Sequence, residues 1–452
     1  MKRKLLYIAI ASALSSNAAA QSTEAVKQQL DEAMRVIREL QERVNTLEQQ
    51  QRAQPPTPLA PTAPPPAAAP VVIEGAPVVA PQSTAEAGAP AGSGARLEIS
   101  GKVQLDFIYD FNRVDPDWNA TLRPSKIPIN CPGDNGCGED GETILSVRQT
   151  SLGFKGFIPT KAGELKTELS FDLFATGGGN TSARLLNAWA ELGRFGAGQY
   201  YTLFMNADTF PNTVDYWGPN GMVFVRNPQL RYTALDHDGL KVAFSLEAPN
   251  AAIDTGKAAD VDPQLDARGR TEWPDLVGKA SWAGDWGHFE VAGIIRSVGF
   301  ESQTPIEREG DELGWGLNVN GWIKTSEKDR IVGQVVYGRG IASYMNDGGV
   351  DLAPTSSFNA ETVKSFGAFV YYDHYWNEDF SSSFGGSIHR QDNTGGQTAT
   401  AFKEGIYAST NLLWYPAKNV LTGVEFLWGR LEQNDGESGD DFRVQFTGQY
   451  KY

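Results

Sequence analysis

Apolar and polar residues alternate along most of the chain from Arg96 to Tyr452. The first segment of this kind, RLEISGKVQLDFIYDF, carries apolar side chains at nearly every second position from Leu97 to Phe111. A period of two predicts β-strands with one apolar and one polar face. Sixteen such strands are predicted, at 96–111, 143–158, 163–176, 181–194, 195–204, 222–235, 239–249, 275–284, 287–300, 313–326, 329–343, 363–376, 379–392, 400–416, 419–432 and 442–452.

The connections between these strands alternate between short turns and longer polar loops. DHDG, GDWG and WNED are examples of the short turns. The longer connections are 113–142, 177–181, 203–221, 248–274, 300–312, 344–362, 392–400 and 432–441. An even strand count with long loops at one end and short turns at the other is typical of transmembrane β-barrels. We therefore predict an all-β fold, a sixteen-stranded antiparallel transmembrane β-barrel over residues 96–452.

The chain ends on one of these strands, FRVQFTGQYKY, which alternates up to its last residue. Chain ends are usually frayed and polar, so an ordered two-faced ending needs a reason. Pairing of the last strand with the first would close the sheet and remove both of its edges. We predict that residues 442–452 form this closing strand.

The N-terminus has the pattern of a secretory signal peptide. Three basic residues, Lys2 to Lys4, precede a short apolar stretch from Leu5 to Leu14 and the small residues Ala18 and Ala20. This order predicts a signal peptide over residues 1–20 with cleavage before Gln21, and a mature protein outside the cytoplasm. A short N-terminal membrane anchor is the alternative.

Residues 21–52 carry a heptad pattern that predicts a short coiled coil. Apolar residues follow alternating spacings of four and three over about three heptads. Arg43 and Glu48 flank two of them at the offset of an ion pair between chains, which resembles a trimerisation motif of short coiled coils. A lone solvated helix is the alternative. The predicted trimer contacts are Leu30, Ile37, Leu40, Arg43, Val44, Leu47 and Glu48.

Residues 53–95 are rich in Pro and Ala and predict an extended spacer. Such a composition cannot form a packed core, and a polyproline-like segment of this length reaches on the order of 100 Å. The coil and the barrel therefore need not touch.

Composition and charge exclude two classes of protein. Past the signal peptide no apolar run approaches the length of a membrane-spanning helix, about 20 residues, which excludes a helical membrane protein. A net charge of −16 argues against a nucleic-acid partner. Cys131 and Cys137, the two cysteines, are separated by a Gly- and Pro-containing loop, so we predict a small loop disulfide. We expect neither a metal site nor a cofactor.

Together these features resemble the DcaP-like trimeric outer-membrane porins of Gram-negative bacteria. The most specific stretch is GQYYTLFMNADTFPNTVDYWGPNGMVFVRNPQLRYT at 198–233, supported by VRQTSLGFKGFIP at 147–159. The resemblance implies a homotrimer surrounded by outer-membrane lipids and lipopolysaccharide, with its coil in the periplasm. It also implies uptake of small anionic solutes such as dicarboxylates.

In sixteen-stranded porins the third long loop folds into the barrel and narrows the pore. By count and by resemblance, that loop is Leu203 to Gly221 here. A narrow passage of low dielectric constant strengthens the interaction with a passing charge. The candidate constriction residues are Asp208, Asp215, Tyr216 and Trp217.

Strand parity indicates which basic residues face the lumen. Arg231 and Arg296 face inward and are our candidates for the constricted zone, with Lys155 and Lys166 on the same inner wall. Arg148, Arg184, Arg226 and Arg339 share the side of apolar neighbours but lie near strand ends, where bulges reset direction, so they stay candidate pore residues. Inward acids offset part of this positive charge: Glu168, Asp172, Glu191 and Glu247.

Two other functions compete with a channel. A barrel enzyme would need a His beside a nucleophile or an activated water, and none of the four histidines lies in a triad motif. A barrel anchor could tether the outer membrane to peptidoglycan, or to a periplasmic protein, through the coil. The C-terminal Tyr452 resembles the signal read by the barrel-assembly machinery, although the usual terminal residue there is Phe.

Overall fold

The computed structural model describes Arg35 and residues 94–129, 141–175, 181–302 and 307–452. The predicted signal peptide, coiled coil and most of the spacer lie outside the described residues, and so do Cys131 and Cys137. Those domain boundaries and the disulfide stay predictions.

The described residues from 94 to 452 form one antiparallel sheet with one short α-helix and four 3₁₀ turns. The strands are β1 (Arg96–Asp110), β2 (Glu142–Ser146), β3 (Ser151–Thr160), β4 (Gly163–Asp172), β5 (Arg184–Leu192), β6 (Phe195–Tyr201), β7 (Arg226–His237), β8 (Leu240–Glu247), β9 (Ala267–Arg270), β10 (Asp275–Gly284), β11 (Gly287–Ser302), β12 (Arg308–Lys324), β13 (Arg330–Arg339), β14 (Lys364–Tyr375), β15 (Phe380–Asp392), β16 (Phe402–Ala417), β17 (Val420–Gln433) and β18 (Ser438–Lys451). The helix is α1 (Gly256–Val261), and the 3₁₀ turns are Pro116–Trp118, Pro124–Lys126, Ala207–Thr209 and Ala342–Tyr344.

The sheet is closed, as the alternation predicts. β1 pairs with β18 from Lys102 opposite Lys451 to Asp110 opposite Arg443. On its other side β1 pairs with both β2 and β3, which are two pieces of one wall strand. β9 and β10 are likewise two pieces of one strand, since both pair with β11. The described segments therefore make sixteen wall strands, and the predicted fold class is confirmed.

The two faces of each strand meet different surroundings. On β18, Phe442 and Phe446 are 51% and 52% exposed on the outside, whereas Arg443 and Gln445 between them are fully buried inside. An apolar outer surface is expected of a wall that faces lipid, and the polar groups turn to the lumen. At the chain terminus, Tyr452 exchanges two backbone hydrogen bonds with Gly101 of β1.

Tight turns close one rim of the barrel, and loops cluster at the other. In one such turn the Asp329 carboxylate accepts from Tyr375 N (2.8 Å), from the His374 ring (2.9 Å) and from Tyr372 OH (3.0 Å). Burial of this carboxylate opposes its ionisation, but these hydrogen bonds outweigh burial and lower the pKa of Asp329. The turn therefore joins β12, β13 and β14 at the short-turn rim.

The predictions of long connections at 300–312 and 432–441 are wrong, because both connections are short. β11 continues to Ser302 and β12 begins at Arg308, and β17 and β18 are separated by only residues 434–437. Several of the acidic residues there, such as Glu309 and Asp440, belong to strands and not to loops. Arg270 of β9 forms an ion pair with Glu309 of β12.

Long loops at the other rim fold into the barrel. We call residues 111–129 loop L1, 202–225 loop L3, 248–266 loop L4 and 340–363 loop L6. Leu203 and Phe204 of L3 pack in one buried cluster with Ile294 of the wall, and Leu122 of L1 packs in another with Leu427. The inner wall is therefore apolar where these loops cover it. In the described part of the chain, no helix has the length and apolar character to cross a membrane.

Candidate functional site

Loop L3 crosses the lumen and binds to the inner wall formed by β14 to β17. Backbone N–H groups of Val214 and Asp215 both donate to Glu425 Oε2 at 2.8 Å. Asn212 N donates to Asp373 Oδ1 (3.1 Å), and Asn411 Nδ2 donates to Asn212 O (2.7 Å). Polar side chains of the wall thus replace the water that an exposed loop backbone would bind.

Two glycines let the end of L3 lie directly on the wall. A Cβ at Gly221 would lie 2.0 Å from the Ile388 carbonyl oxygen, and a Cβ at Gly367 would lie 2.4 Å from the Gly221 carbonyl oxygen. The Gly221 N–H donates to Ser387 Oγ at 2.7 Å. Larger residues at either position would push L3 into the lumen.

Asp215, a predicted constriction residue, is almost fully buried in L3. Its carboxylate accepts from Thr121 Oγ1 (2.8 Å) and Leu122 N (3.1 Å) of L1, and from Tyr407 OH (3.2 Å) of β16. Because these donors occupy its carboxylate, Asp215 links L1 and L3 to the wall. A passing solute does not reach it.

Trp217 belongs to a second contact between loops. Its indole Nε1 donates to Asn346 O of L6 at 2.6 Å. The guanidinium of Arg123 in L1 lies over both Trp217 (4.2 Å) and Trp118 (4.0 Å), a geometry of cation–π attraction. Arg123 Nε also binds Asp347 Oδ1 of L6 at 2.8 Å. L1, L3 and L6 are therefore fixed to one another above the lumen.

Tyr216 reaches the opposite wall and completes a charged and aromatic cluster. Its ring stacks on Phe174 with 4.0 Å between centroids, and its hydroxyl donates to Asp172 Oδ2 at 2.5 Å. Arg184 binds the same carboxylate through Nε (3.1 Å) and Nη2 (2.6 Å), and also donates to the Tyr216 hydroxyl. Arg148 lies over the other ring of this stack, Phe174, at 4.2 Å.

Arg184 faces the lumen because the strand register changes beneath it. The pairing of β4 with β5 shifts between Ser170 and Phe171, so that β5 carries one extra residue. A bulge of this kind turns the following side chains to the other face. The change brings Arg184 opposite Asp172 on the inside and explains why simple alternation did not assign it.

Partly exposed inner side chains mark the open part of the lumen among the described residues. On the wall they include Lys155, Arg184, Lys279 and His288, with 29%, 29%, 17% and 14% of their side chains exposed. Asp208 of L3 faces them, 37% exposed, with its carboxylate 3.6 Å from the His288 ring. The open passage therefore runs between L3 and the wall from β3 to β11, away from the wall that L3 covers.

Comparison with protein families decides the identity of this barrel. A family model described as DcaP outer membrane protein matches residues 80–452. The chain belongs to the DcaP outer membrane protein family. It is thus an outer-membrane barrel with the fold of a porin channel, as the sequence resemblance indicates.

Solved structures share the barrel fold of this chain. The outer membrane channel DcaP of Acinetobacter baumannii is 20% identical, with a TM-score of 0.68 over 81% of this chain and 100% of that one. An anion-selective porin from Comamonas acidovorans is 8% identical, with a TM-score of 0.51 over 79% of this chain and 100% of that one. A search of curated proteins found no match.

Arg231 lies on the inner face of the DcaP-type barrel, as parity predicts. It donates to Tyr201 O at 2.6 Å and to Gln229 Oε1 at 2.9 Å, and its guanidinium lies 5.1 Å from the centre of the Trp189 ring. These contacts hold the cation against the wall. Whether Arg231 binds a solute stays a prediction.

The predicted pore residues Arg226, Lys155 and Lys166 differ in their surroundings. Arg226 donates to Tyr201 OH at 2.6 Å and lies over the rings of Tyr201 and Phe224. Lys155 Nζ is 4.0 Å from Glu168, and Lys166 is exposed near the short-turn rim. Lys155 is therefore the predicted lysine that faces the passage beside L3.

Arg296 faces inward but is not accessible to a solute. Its side chain is fully buried, with ion pairs of 3.3 Å to Asp275 and Asp351 and a 2.9 Å hydrogen bond to Gly340 O. The expectation that Arg296 lines the constriction is corrected, because L6 covers this cation and both of its partners.

Arg339 lies on the outer face of the barrel. It is directly opposite Trp315 on β12 and Lys364 on β14, and residues paired in this way share a face. Trp315 is 40% exposed on the outside. The expectation that Arg339 is a pore residue is corrected, since no bulge lies between it and the outward residues of β13.

Sequence reasoning missed two cations that position the site. Arg330 of β13 binds Asp373 (2.9 Å) and donates to the backbone oxygens of Asp208 (3.3 Å) and Phe210 (2.8 Å), so it fixes the start of L3. Arg123 fixes L1 as described above. Arg330 shares the parity of Val332 and Gln334, a signal that could have placed it inside, whereas Arg123 lies in a loop that has no period.

Proposed function

We propose that this DcaP-family barrel is a passive diffusion channel that favours small anionic organic acids, dicarboxylates among them. The observation that carries the proposal is the set of cations on the open side of the lumen, Lys155, Arg184 and Lys279, opposite L3. In a narrow passage with low-dielectric walls, such charges attract carboxylates strongly, and Arg can bind them with two hydrogen bonds.

Acidic partners limit the strength of this preference. Asp172 binds Arg184, Glu290 binds Lys279 at 2.8 Å, and Asp208 lies on L3 across the passage. The preference for anions is therefore moderate, and it depends on which charges remain unpaired at the passage.

The test is ion selectivity in planar bilayers. We expect Lys155→Glu combined with Lys279→Gln to shift the reversal potential in a salt gradient toward cations. The anion-to-cation permeability ratio should fall by roughly threefold or more, since a charge several ångströms from a permeating ion contributes on the order of 1 kcal/mol at an intermediate dielectric constant.

The matched control makes the same change in charge outside the lumen. Lys161→Glu combined with Arg194→Gln alters two exposed residues at short turns and should leave the reversal potential unchanged. Equal selectivity of the lumen variant and the parent channel would contradict the proposed preference for anions. Competition of the current by a panel of mono- and dicarboxylates would then rank the preferred solutes.

Several partners belong to this proposal. The coil at 21–52 supports a homotrimer, and the outer wall supports contact with outer-membrane lipids and lipopolysaccharide. The signal peptide and the alternating C-terminal strand ending in Tyr452 support export, a periplasmic N-terminus and insertion by the barrel-assembly machinery. Residues 131 and 137 would form the loop disulfide after export. We propose no catalytic role, cofactor, metal or nucleic-acid partner.

A second function is favoured by the coil and the Pro/Ala spacer before the barrel. Residues 21–95 are long enough to reach from the membrane toward peptidoglycan or a periplasmic protein, so the barrel could serve as an anchor. Single-channel current separates the two functions. An inert anchor conducts nothing, whereas a trimeric porin closes in three steps.

A further inference from the structure

Three cations on the outer wall form no ion pair with the described acids around them. Arg339 ends β13, Lys364 begins β14 and Arg390 lies near the end of β15. Within the described chain, none of the three has a carboxylate oxygen within 4.0 Å, and the Nε atom of Arg339 is buried without a hydrogen-bond partner. Burying such a donor costs free energy unless another molecule binds it.

Strand register groups these three cations. Arg339 is directly opposite Lys364, and Arg390 is opposite Phe366, two positions along from Lys364. Direct and diagonal cross-strand neighbours lie about 4.5 to 8 Å apart between Cβ atoms. The cations therefore form one patch over three consecutive strands, which we call the outer basic patch.

The patch lies just beyond a belt of outward aromatic residues. Trp315, Tyr337 and Phe366 are 40%, 43% and 37% exposed, and each is a direct neighbour or lies two positions away from a patch residue. Aromatic girdles mark the boundary between hydrocarbon and headgroups. Because the patch is on the rim with the long loops, it lies at the headgroup depth of the outer leaflet.

We propose that the outer basic patch binds the phosphate groups of the phosphorylated glycolipid that forms the outer leaflet. Arg339, Lys364 and Arg390 supply N–H donors in the geometry that phosphate oxygens accept, and the aromatic belt beneath them contacts the upper acyl chains. Asp392, opposite Lys364, and Glu404, opposite Arg390, flank the patch and leave it a net single positive charge, because the next acid, Glu432, is neutralised by an ion pair with Lys403. A divalent cation would bridge these acids to further phosphates of the same lipid.

This site is separate from the passage and does not rest on which solute the channel carries. Arg430, an outward cation two strands away, binds Ser438 and lies opposite Asp440, so it is not part of the patch. A free phosphate ion would use the same donors but would gain nothing from the aromatic belt.

The test uses the purified full-length channel in detergent. Its probes are bisphosphorylated lipid A, the same lipid without phosphates, phosphatidylglycerol and inorganic phosphate. Bound lipid is counted by native mass spectrometry, and thermal unfolding is followed in parallel. We expect bisphosphorylated lipid A to bind at least about tenfold more tightly than the dephosphorylated lipid or phosphatidylglycerol, and inorganic phosphate to bind weakly.

The triple variant Arg339→Gln, Lys364→Gln, Arg390→Gln should lose this tenfold preference while keeping the parent's unfolding temperature without lipid. The charge-matched control Lys161→Gln, Lys328→Gln, Lys418→Gln changes three exposed lysines at short turns and should bind lipid A like the parent. The proposal is overturned by unchanged binding in the patch variant, by equal loss in the control, or by equal binding of phosphatidylglycerol. Dissociation of subunits in the patch variant, with lipid binding retained, would instead identify a protein contact and also overturn it.

Discussion

A single carboxylate links the lumen charge to the position of L3. Asp172 is buried and accepts hydrogen bonds from Arg184 and from the Tyr216 hydroxyl. It therefore neutralises a cation at the passage and holds the loop that narrows the passage. Selectivity and constriction depend on the same group.

Replacing Asp172 with Asn should make the channel more selective for anions. The amide oxygen can still accept from Arg184 or Tyr216, but the negative charge is gone, so the positive charge of Arg184 acts on the passage unopposed. We expect the reversal potential to move toward anions, by roughly a twofold change in permeability ratio. Planar-bilayer recordings in a salt gradient measure it.

The control for this variant is Asp285→Asn, which removes one exposed carboxylate at the turn between β10 and β11. It should leave selectivity unchanged. A shift of the Asp172 variant toward cations would contradict the role given to Arg184.

Strand alternation placed some arginines correctly and others not. It put Arg231 and Arg296 on the inside, where they lie, but it could not show that L6 covers Arg296. It left Arg184 and Arg339 undecided. A bulge in the β4–β5 pairing turned Arg184 inward, while regular pairing kept Arg339 outside. One extra residue in a strand decides the face, and the sequence does not mark it.

At the scale of elements, L3 is held by wall groups far away in sequence. Glu425 is fully buried on β17 and accepts two backbone N–H bonds from Val214 and Asp215. L3 side chains such as Asp215 and Trp217 also bind the wall and L6, so the shape of the loop depends on the barrel around it.

Removing the side chain of Glu425 should loosen L3 without unfolding the barrel. Glu425→Ala leaves two buried N–H groups without an acceptor, at a cost of about 1–3 kcal/mol each. The wall strands keep their backbone ladder. We expect noisier open-channel current and more frequent partial closures in single-channel recordings, with a folded barrel whose thermal unfolding temperature falls by only about a few degrees.

Glu437→Ala serves as the matched control, since Glu437 is exposed between β17 and β18. Its current should match that of the parent. A quiet, unaltered current in the Glu425 variant would show that other contacts suffice to hold L3.

At the scale of the whole molecule, closure of the sheet explains the ordered chain end. Tyr452 exchanges backbone hydrogen bonds with Gly101, and β18 pairs with β1 along most of its length. A closed wall has no free edge, so the strands need no other element to be stable. The coil predicted at residues 21–52 is therefore not needed to hold the barrel strands together.

Deleting residues 21–52 tests how far the coil contributes to assembly. We expect the truncated protein to remain trimeric, because three heptads are marginal by themselves and the larger outer wall should supply the contact between subunits. Light scattering of the purified protein in detergent, corrected for bound detergent, measures the subunit count. Monomers after the deletion would make the coil the main trimer contact.

The sequence by itself determined the number of strands, their two faces and the strand that closes the barrel. Each of these properties follows from local alternation, because in a strand without a bulge a side chain's direction follows from its position in a period of two. The tertiary structure alone decided which inward cations meet the passage, how L1, L3 and L6 bind one another, and that Arg339 belongs to the outer surface. Those outcomes depend on contacts such as Val214 with Glu425 or Arg123 with Asp347, between residues that only the closed barrel brings together.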